Sequence, residues 1–247
     1  MQIELCAFSS SSLLKEQLSP FIRIELCSNY YEGGTTPSPA SFLMLRKKLA
    51  NQIFVMIRPR GGDFVYSADE FELMKAETSW FKQSGANGIV IGLLKSNGSV
   101  DIERTSILVK LAAPLPVTFH RAFDTSADLN IALEDVVKTG CTRILSSGGA
   151  SNVEQGSPKL LALQKQAKGR IAIMPGGGVN RSNVQQFIDA AFENIHLSSK
   201  KVEQSKMEFK TNISMTATSK ISAFDYIGID FDKLNNFTNY VQKNQSS

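Results

Sequence analysis

The sequence predicts an α/β protein built as an eight-stranded parallel TIM (β/α) barrel, and three observations predict it. Eight short, β-rich apolar runs alternate with longer helical patterns. Their starts lie about 27 residues apart on average, the length of one strand plus one crossover helix. The chain has 247 residues, 42% of them hydrophobic, which suits one domain over 1–247, because a single barrel runs to about 250 residues. The alternative is an open doubly wound sheet. It calls for a Gly-x-Gly-x-x-Gly turn after the first strand, where Ala7-Phe8-Ser9-Ser10 stands instead.

The strands are read at 2–7, 21–27, 52–58, 88–93, 115–120, 142–146, 170–174 and 194–198. A first helix over 9–18 is ended by Pro20. Ser67-Ala68-Asp69-Glu70 is a capping box that opens a helix to about Gln83. Asp101 caps a helix over 102–111, and Ser126 and Asn180 are candidate caps for later ones. Helical spacing of apolar residues recurs at 129–137 and 160–167. Gly85, Gly140 and Gly169 fall where a helix must stop before a strand. From 199 to 229 no strong helix appears, so this stretch reads as an irregular arm or lid over one barrel end. Phe231–Val241 then forms a closing helix.

Composition excludes several classes. The longest apolar run, 89–94, is too short to span a membrane. No basic flank precedes a long apolar stretch, so a cytoplasmic protein without signal peptide is expected. The net charge is only +4, and its one basic cluster, Lys200, Lys201, Lys206 and Lys210, is too thin for a nucleic-acid stripe. Cys6, Cys27 and Cys141 make no disulfide framework.

In a barrel the chemistry sits on the loops after the strands. Those loops here hold Cys27, Arg58 and Arg60, then His120, Arg121 and Asp124, and finally Gly176, Gly177, Gly178 and Ser198. The three glycines before Asn180 leave bare N–H groups beside an expected helix start, which suits a phosphate or carboxylate; a tight packing turn is the other reading. Arg58 and Arg60 reinforce an anion site or pair with Glu25 and Asp63. His120 is a candidate general acid or base beside Arg121 and Asp124, with Glu25 as a further carboxylate, or else a buried structural histidine. His196 reads as structural.

Strands one and two share a tetrapeptide, Ile3-Glu4-Leu5-Cys6 and Ile24-Glu25-Leu26-Cys27. Alternation sets Glu and Cys on the inner face and Ile and Leu toward the helices. Two thiols at similar depth on adjacent strands suit a soft metal such as Cu(I), with Met56 as a possible thioether; small apolar filler is the plainer reading.

Several blocks together resemble the copper homeostasis protein CutC family. They are Ile22–Cys27, Glu32–Ser38 (EGGTTPS), Val55–Phe64 (VMIRPRGGDF), Pro116–Asp124 (PVTFHRAFD) and Met174–Val179 (MPGGGV). The resemblance runs in order from the first strand to about Ser199. It implies a TIM barrel, a cytoplasmic protein, a homodimer or larger oligomer, and a role in copper handling. It also implies Cu(I) ligation at the positions of Cys6 and Cys27. The residues alone leave a second reading open, an enzyme acting on a small anionic or phosphorylated metabolite.

Overall fold

In the computed structural model, which describes residues 1–211, 213, 222 and 224–245, eight parallel strands form a nearly closed barrel. The strands are β1 (Gln2–Ala7), β2 (Ile22–Leu26), β3 (Ile53–Met56), β4 (Gly88–Ile91), β5 (Val117–Phe119), β6 (Arg143–Ser146), β7 (Ala172–Pro175) and β8 (Asn194–Leu197). Each pairs with its sequence neighbour from β1 to β7, and β8 pairs with β1. Among the described residues no ladder joins β7 to β8. All eight expected strands are present, mostly trimmed by one to three residues where the chain turns into the loops.

Alternation divides the apolar residues into two bodies. Ile3, Leu5, Ile22, Ile24, Ile53, Val55 and Ile89 face outward and pack with the helices. Cys6, Cys27, Phe54, Met56 and Val90 form a separate cluster inside the barrel. This is the face assignment expected from period-two patterning.

The helices are α1 (Ser10–Leu13), α2 (Pro39–Lys48), α3 (Ala68–Gln83), α4 (Ile102–Ala112), α5 (Leu129–Thr139), α6 (Val153–Ala167), α7 (Gln185–Asp189) and α8 (Phe231–Asn244). Ser67 and Glu70 make the reciprocal capping box, and Asp101 caps α4. Asp128, not Ser126, caps α5, because its carboxylate accepts from the N–H groups of Asn130 and Ile131. α1 is a single turn rather than a helix over 9–18. α2, absent from the sequence reading, starts with Ser38 as cap and Pro39 in the first turn. α6 begins at Val153, seven residues ahead of the expected 160. Pro158, the sixth residue of the helix, disguises its start and removes the N–H that would bond the Glu154 carbonyl.

Two expectations about the last third need correction. No helix starts at Asn180. Its Oδ1 instead accepts from Ser182 N–H at 2.8 Å, an Asx turn that holds 180–184 in turns until the short α7. The segment 199–229 is not irregular throughout. Its ends, β9 (Lys200–Gln204) and β10 (Asp225–Ile229), form an antiparallel ribbon. Residues 212, 214–221 and 223 of that segment lie outside the described residues. α8 follows with Asp230 as cap and buries Phe231, Leu234, Phe237 and Val241. Among the described residues no helix is long and apolar enough to cross a membrane.

Candidate functional site

The barrel interior is built on an ionic floor. Glu4 of β1 and Arg23 of β2 are level across their ladder, and Glu4 is also level with His196 of β8. Arg23 Nε donates to Glu4 Oε2 at 2.6 Å, and Arg23 Nη2 to Asn194 Oδ1 at 3.2 Å. The Phe54 ring lies under two guanidinium groups, 4.8 Å from Arg23 Cζ and 5.5 Å from Arg143 Cζ. Burial alone would raise the Glu4 carboxyl. Its hydrogen bond with His196 and the charges of Arg23 and His196 outweigh burial and hold it down at about 2. Burial, with the charge of Arg23, pushes Arg143 down to about 10.

Above this floor stand the two thiols. The register pairs Cys6 with Glu25, not with Cys27. The repeated tetrapeptides are therefore staggered by two residues, as strand tilt in a closed barrel requires, and Cys27 lies nearer the mouth. The stagger still leaves Cys6 Sγ and Cys27 Sγ 4.0 Å apart. Cys27 donates to Glu25 Oε2 at 3.6 Å. The hydrogen bond with Cys27 and burial push the Cys6 thiol well up, and burial pushes Cys27 up to about 12. Both are neutral thiols. His196 joins them: donor atoms of Cys6, Glu25 and His196 all lie within 4.8 Å of one another. Burial would strip the His196 proton. The Glu25 charge and the hydrogen bonds with Cys6 and Glu4 outweigh burial and keep the proton, and Glu4 Oε1 lies 2.9 Å from Nδ1. Burial raises Glu25 itself.

This layer opens into a cavity of about 880 Å³ at the C-terminal mouth. Cys6, Glu25, Arg58, His120, Arg121, Gly177, Gly178 and Ser198 all line it, together with His196 and the start of α8. His120 is 3% exposed and tilts against Phe64, with ring centroids 5.1 Å apart. Its Nδ1 accepts from Ala122 N–H at 3.1 Å, so Nε2 carries the hydrogen of the neutral ring. Burial and the charge of Arg58 lower its pKa to about 3. Gly92 makes room for it: a Cβ there would come within 2.3 Å of the imidazole. Arg58 donates to the carbonyls of Glu32 (2.5 Å), Gly34 (2.8 Å) and Gly62 (2.8 Å), clasping the loops after β2 and β3, and has no contact with Glu25 among the described bonds.

Other sequence candidates are placed differently. Cys27 is covered by the Gly34 backbone, where a Cβ would stand 3.4 Å from its sulfur. Gly176 packs on Leu145 and His196. Arg60 lies outside the cavity lining and pairs with Asp63 at 3.0 Å and Glu70 at 2.6 Å. Asp124 is occupied structurally. It takes Arg121 Nε at 2.7 Å, Ser146 Oγ at 2.6 Å and the N–H groups of Ser147 and Gly149, tying the loops after β5 and β6. Cys141 is buried at 5% exposure and away from the other two thiols, outside the cavity lining. Sequence reading did not see His196, Arg23 or Arg143 as part of the interior. The signal for Arg23 was its parity with Glu25, two residues on in the same strand.

Comparison with known proteins agrees with this architecture. The family model described as CutC family matches residues 1–201. A family protein CutC of Chromobacterium violaceum is 46% identical over 182 residues, 74% of each chain. The copper homeostasis protein cutC homolog of Homo sapiens is 39% identical over 244 residues, 98% of this chain and 89% of that one. The crystal structure of a copper homeostasis protein CutC from Streptococcus agalactiae superposes with a TM-score of 0.73 at 33% identity, covering 78% of this chain and 96% of that one. A deoxyribose phosphate aldolase from Aeropyrum pernix, with a TM-score of 0.57 at 15% identity over 80% of this chain and 86% of its own, shares the fold alone. On the match of its first 201 residues and on these relatives, the chain belongs to the CutC family.

Proposed function

We propose that this protein serves copper homeostasis in the cytoplasm by holding Cu(I) as cargo between the thiolates of Cys6 and Cys27. The observation that carries the reading is the sulfur–sulfur separation of 4.0 Å between two buried side chains on adjacent strands. Metal–thiolate bonds are about 2.3 Å for zinc, so both sulfurs reach one ion between them without a backbone shift. The donor set is soft, with Met56 in the same inner cluster, and soft ligands select Cu(I). His196 beside Cys6 is a third donor once its proton leaves. Relatives named for copper homeostasis support the same reading. Three free cysteines fit a reducing compartment.

Both thiols are protonated before the ion arrives, so binding expels their protons and affinity rises with pH. Anaerobic Cu(I) titration against a competing chelator tests the site. The double variant Cys6→Ser/Cys27→Ser loses the tight ion, whereas Cys141→Ser keeps it. Equal uptake by the double variant and the parent protein leaves the two cysteines as core filler.

A further inference from the structure

The mouth cavity, at about 880 Å³, is far larger than a metal ion needs and falls within the range of small-molecule sites. Residues that line it also carry buried polar atoms without partners. Among the described side chains, Arg58 Nε, His120 Nε2 and Glu25 Oε1 are buried and make no hydrogen bond. Their residues are 5%, 3% and 2% exposed, and all three line the cavity. Unpaired buried polar groups cost roughly 1–3 kcal/mol each, so three of them on residues that line one cavity favour an occupant that reaches them.

The chemistry of these atoms selects the occupant. Arg58 Nε is a donor on a permanent cation. His120 Nε2 is a donor as well, because Nδ1 is committed to the Ala122 N–H. Phe64 holds the two side chains together: Arg58 Cζ is 5.0 Å from its ring centroid, and the His120 ring lies at 5.1 Å. The N–H groups of Gly177 and Gly178, in the loop after β7, take no protein acceptor among the described bonds, whereas Gly176 N–H is bound to Ser146 O. Donors with one fixed positive charge match an oxyanion. The unpaired Glu25 oxygen matches a hydroxyl hydrogen. Phe8, Tyr30 and Phe64 supply an apolar wall for a carbon skeleton.

We propose that the barrel mouth binds a small hydroxylated organic oxyanion, a short-chain carboxylate or phosphate ester, with Arg58 and His120 as its donors and the Gly177–Gly178 backbone as a further cradle. The site needs no copper. Its failure would leave the thiolate reading standing, and the reverse also holds.

The chain has only two histidines, so the metal-free, reduced protein offers two imidazoles for long-range 1H–15N correlation spectra. Glycerol 3-phosphate, glycerate, inorganic phosphate and glycerol are titrated separately. The expected result is a saturable shift of the His120 Nε2 signal with glycerol 3-phosphate or glycerate, and the one that binds tighter names the head group. Arg58→Gln weakens that binding at least about tenfold, equivalent to 1.4 kcal/mol. Where loss of the loop clasp unfolds Arg58→Gln, calorimetric titration of His120→Gln gives the same comparison. No saturable shift up to about 10 mM, well beyond millimolar affinity, overturns the proposal. So does equal binding of uncharged glycerol, or unchanged affinity in a folded variant.

Discussion

His120 shows how one residue's surroundings set its chemistry. Its ring is locked by Gly92 beneath, Phe64 beside and the Ala122 N–H in front, and burial holds it neutral with a pKa of about 3 against 6.5 for an ordinary imidazole. The unfolded chain therefore takes up this proton first as pH falls. The contribution to stability is complete above about pH 6.5 and is lost by about pH 3. Urea unfolding at a series of pH values checks it. Between pH 6 and 4 the parent protein loses up to about 1.4 kcal/mol more per pH unit than His120→Gln. Parallel curves would show that the ring is charged in the folded state. Much of this level was legible in the sequence, since strand parity alone put Cys6 and Glu25 inside and the strand end put His120 at the mouth. His196 was not, because its role depends on β8 closing against β1 and setting it level with Glu4, a contact 192 residues apart in the chain.

The capping box of α3 and the Asp101 cap of α4 marked their helices in the sequence, whereas α2 and α6 start at equally good caps, Ser38 and Asn152, that the sequence reading did not use. α3 has its reciprocal Ser67–Glu70 cap, and Glu70 is also gripped by Arg60 Nε at 2.6 Å, which in turn reaches the Val65 carbonyl at 2.9 Å. Arg60, read either as an anion ligand or as a partner of Asp63, thus pairs with Asp63 and fastens the loop after β3 to the helix that follows. Ser67→Ala removes one half of the cap and costs about 1 kcal/mol in chemical unfolding, with the Arg60–Glu70 pair intact. A loss of several kcal/mol would mean that the whole loop depends on that hydroxyl. The first two turns of α6 escaped the sequence reading, which began the helix at 160, because Pro158 interrupts its pattern. α7 was misplaced because Asn180 and Asn183 cap turns: Asn183 Oδ1 accepts from Asn180 N–H at 2.9 Å. Asparagine offers the same hydrogen bond to a turn as to a helix start, so residue type cannot tell them apart.

At the scale of the whole molecule, the barrel departs from the usual filling of Val, Ile and Leu layers. The outward faces obey that rule, but the axis carries Glu4, Arg23, Arg143 and His196 beneath the thiols. The fold class was legible because it depends on strand number and spacing. The closing ribbon was not, since Lys200–Gln204 and Asp225–Ile229 pair across a stretch too polar to announce two strands. Charges on the axis are stable only as a set. Glu4 stays ionised because Arg23 and His196 flank it, and its carboxyl, held near 2 against 4.5, adds stability that is present above about pH 4.5 and fades as pH falls toward 2. Removing one member leaves a buried, uncompensated charge, a loss of about 3–5 kcal/mol, while replacing the pair together can be close to neutral. Arg23→Met is therefore expected to destabilise by that amount. The double variant Glu4→Gln/Arg23→Met should be more stable than the sum of its two single losses predicts, by well over 1 kcal/mol in a double-mutant cycle read from urea unfolding. If the losses simply add, Glu4 is satisfied by His196 alone. The floor beneath the thiols would then be two separate pairs rather than one network.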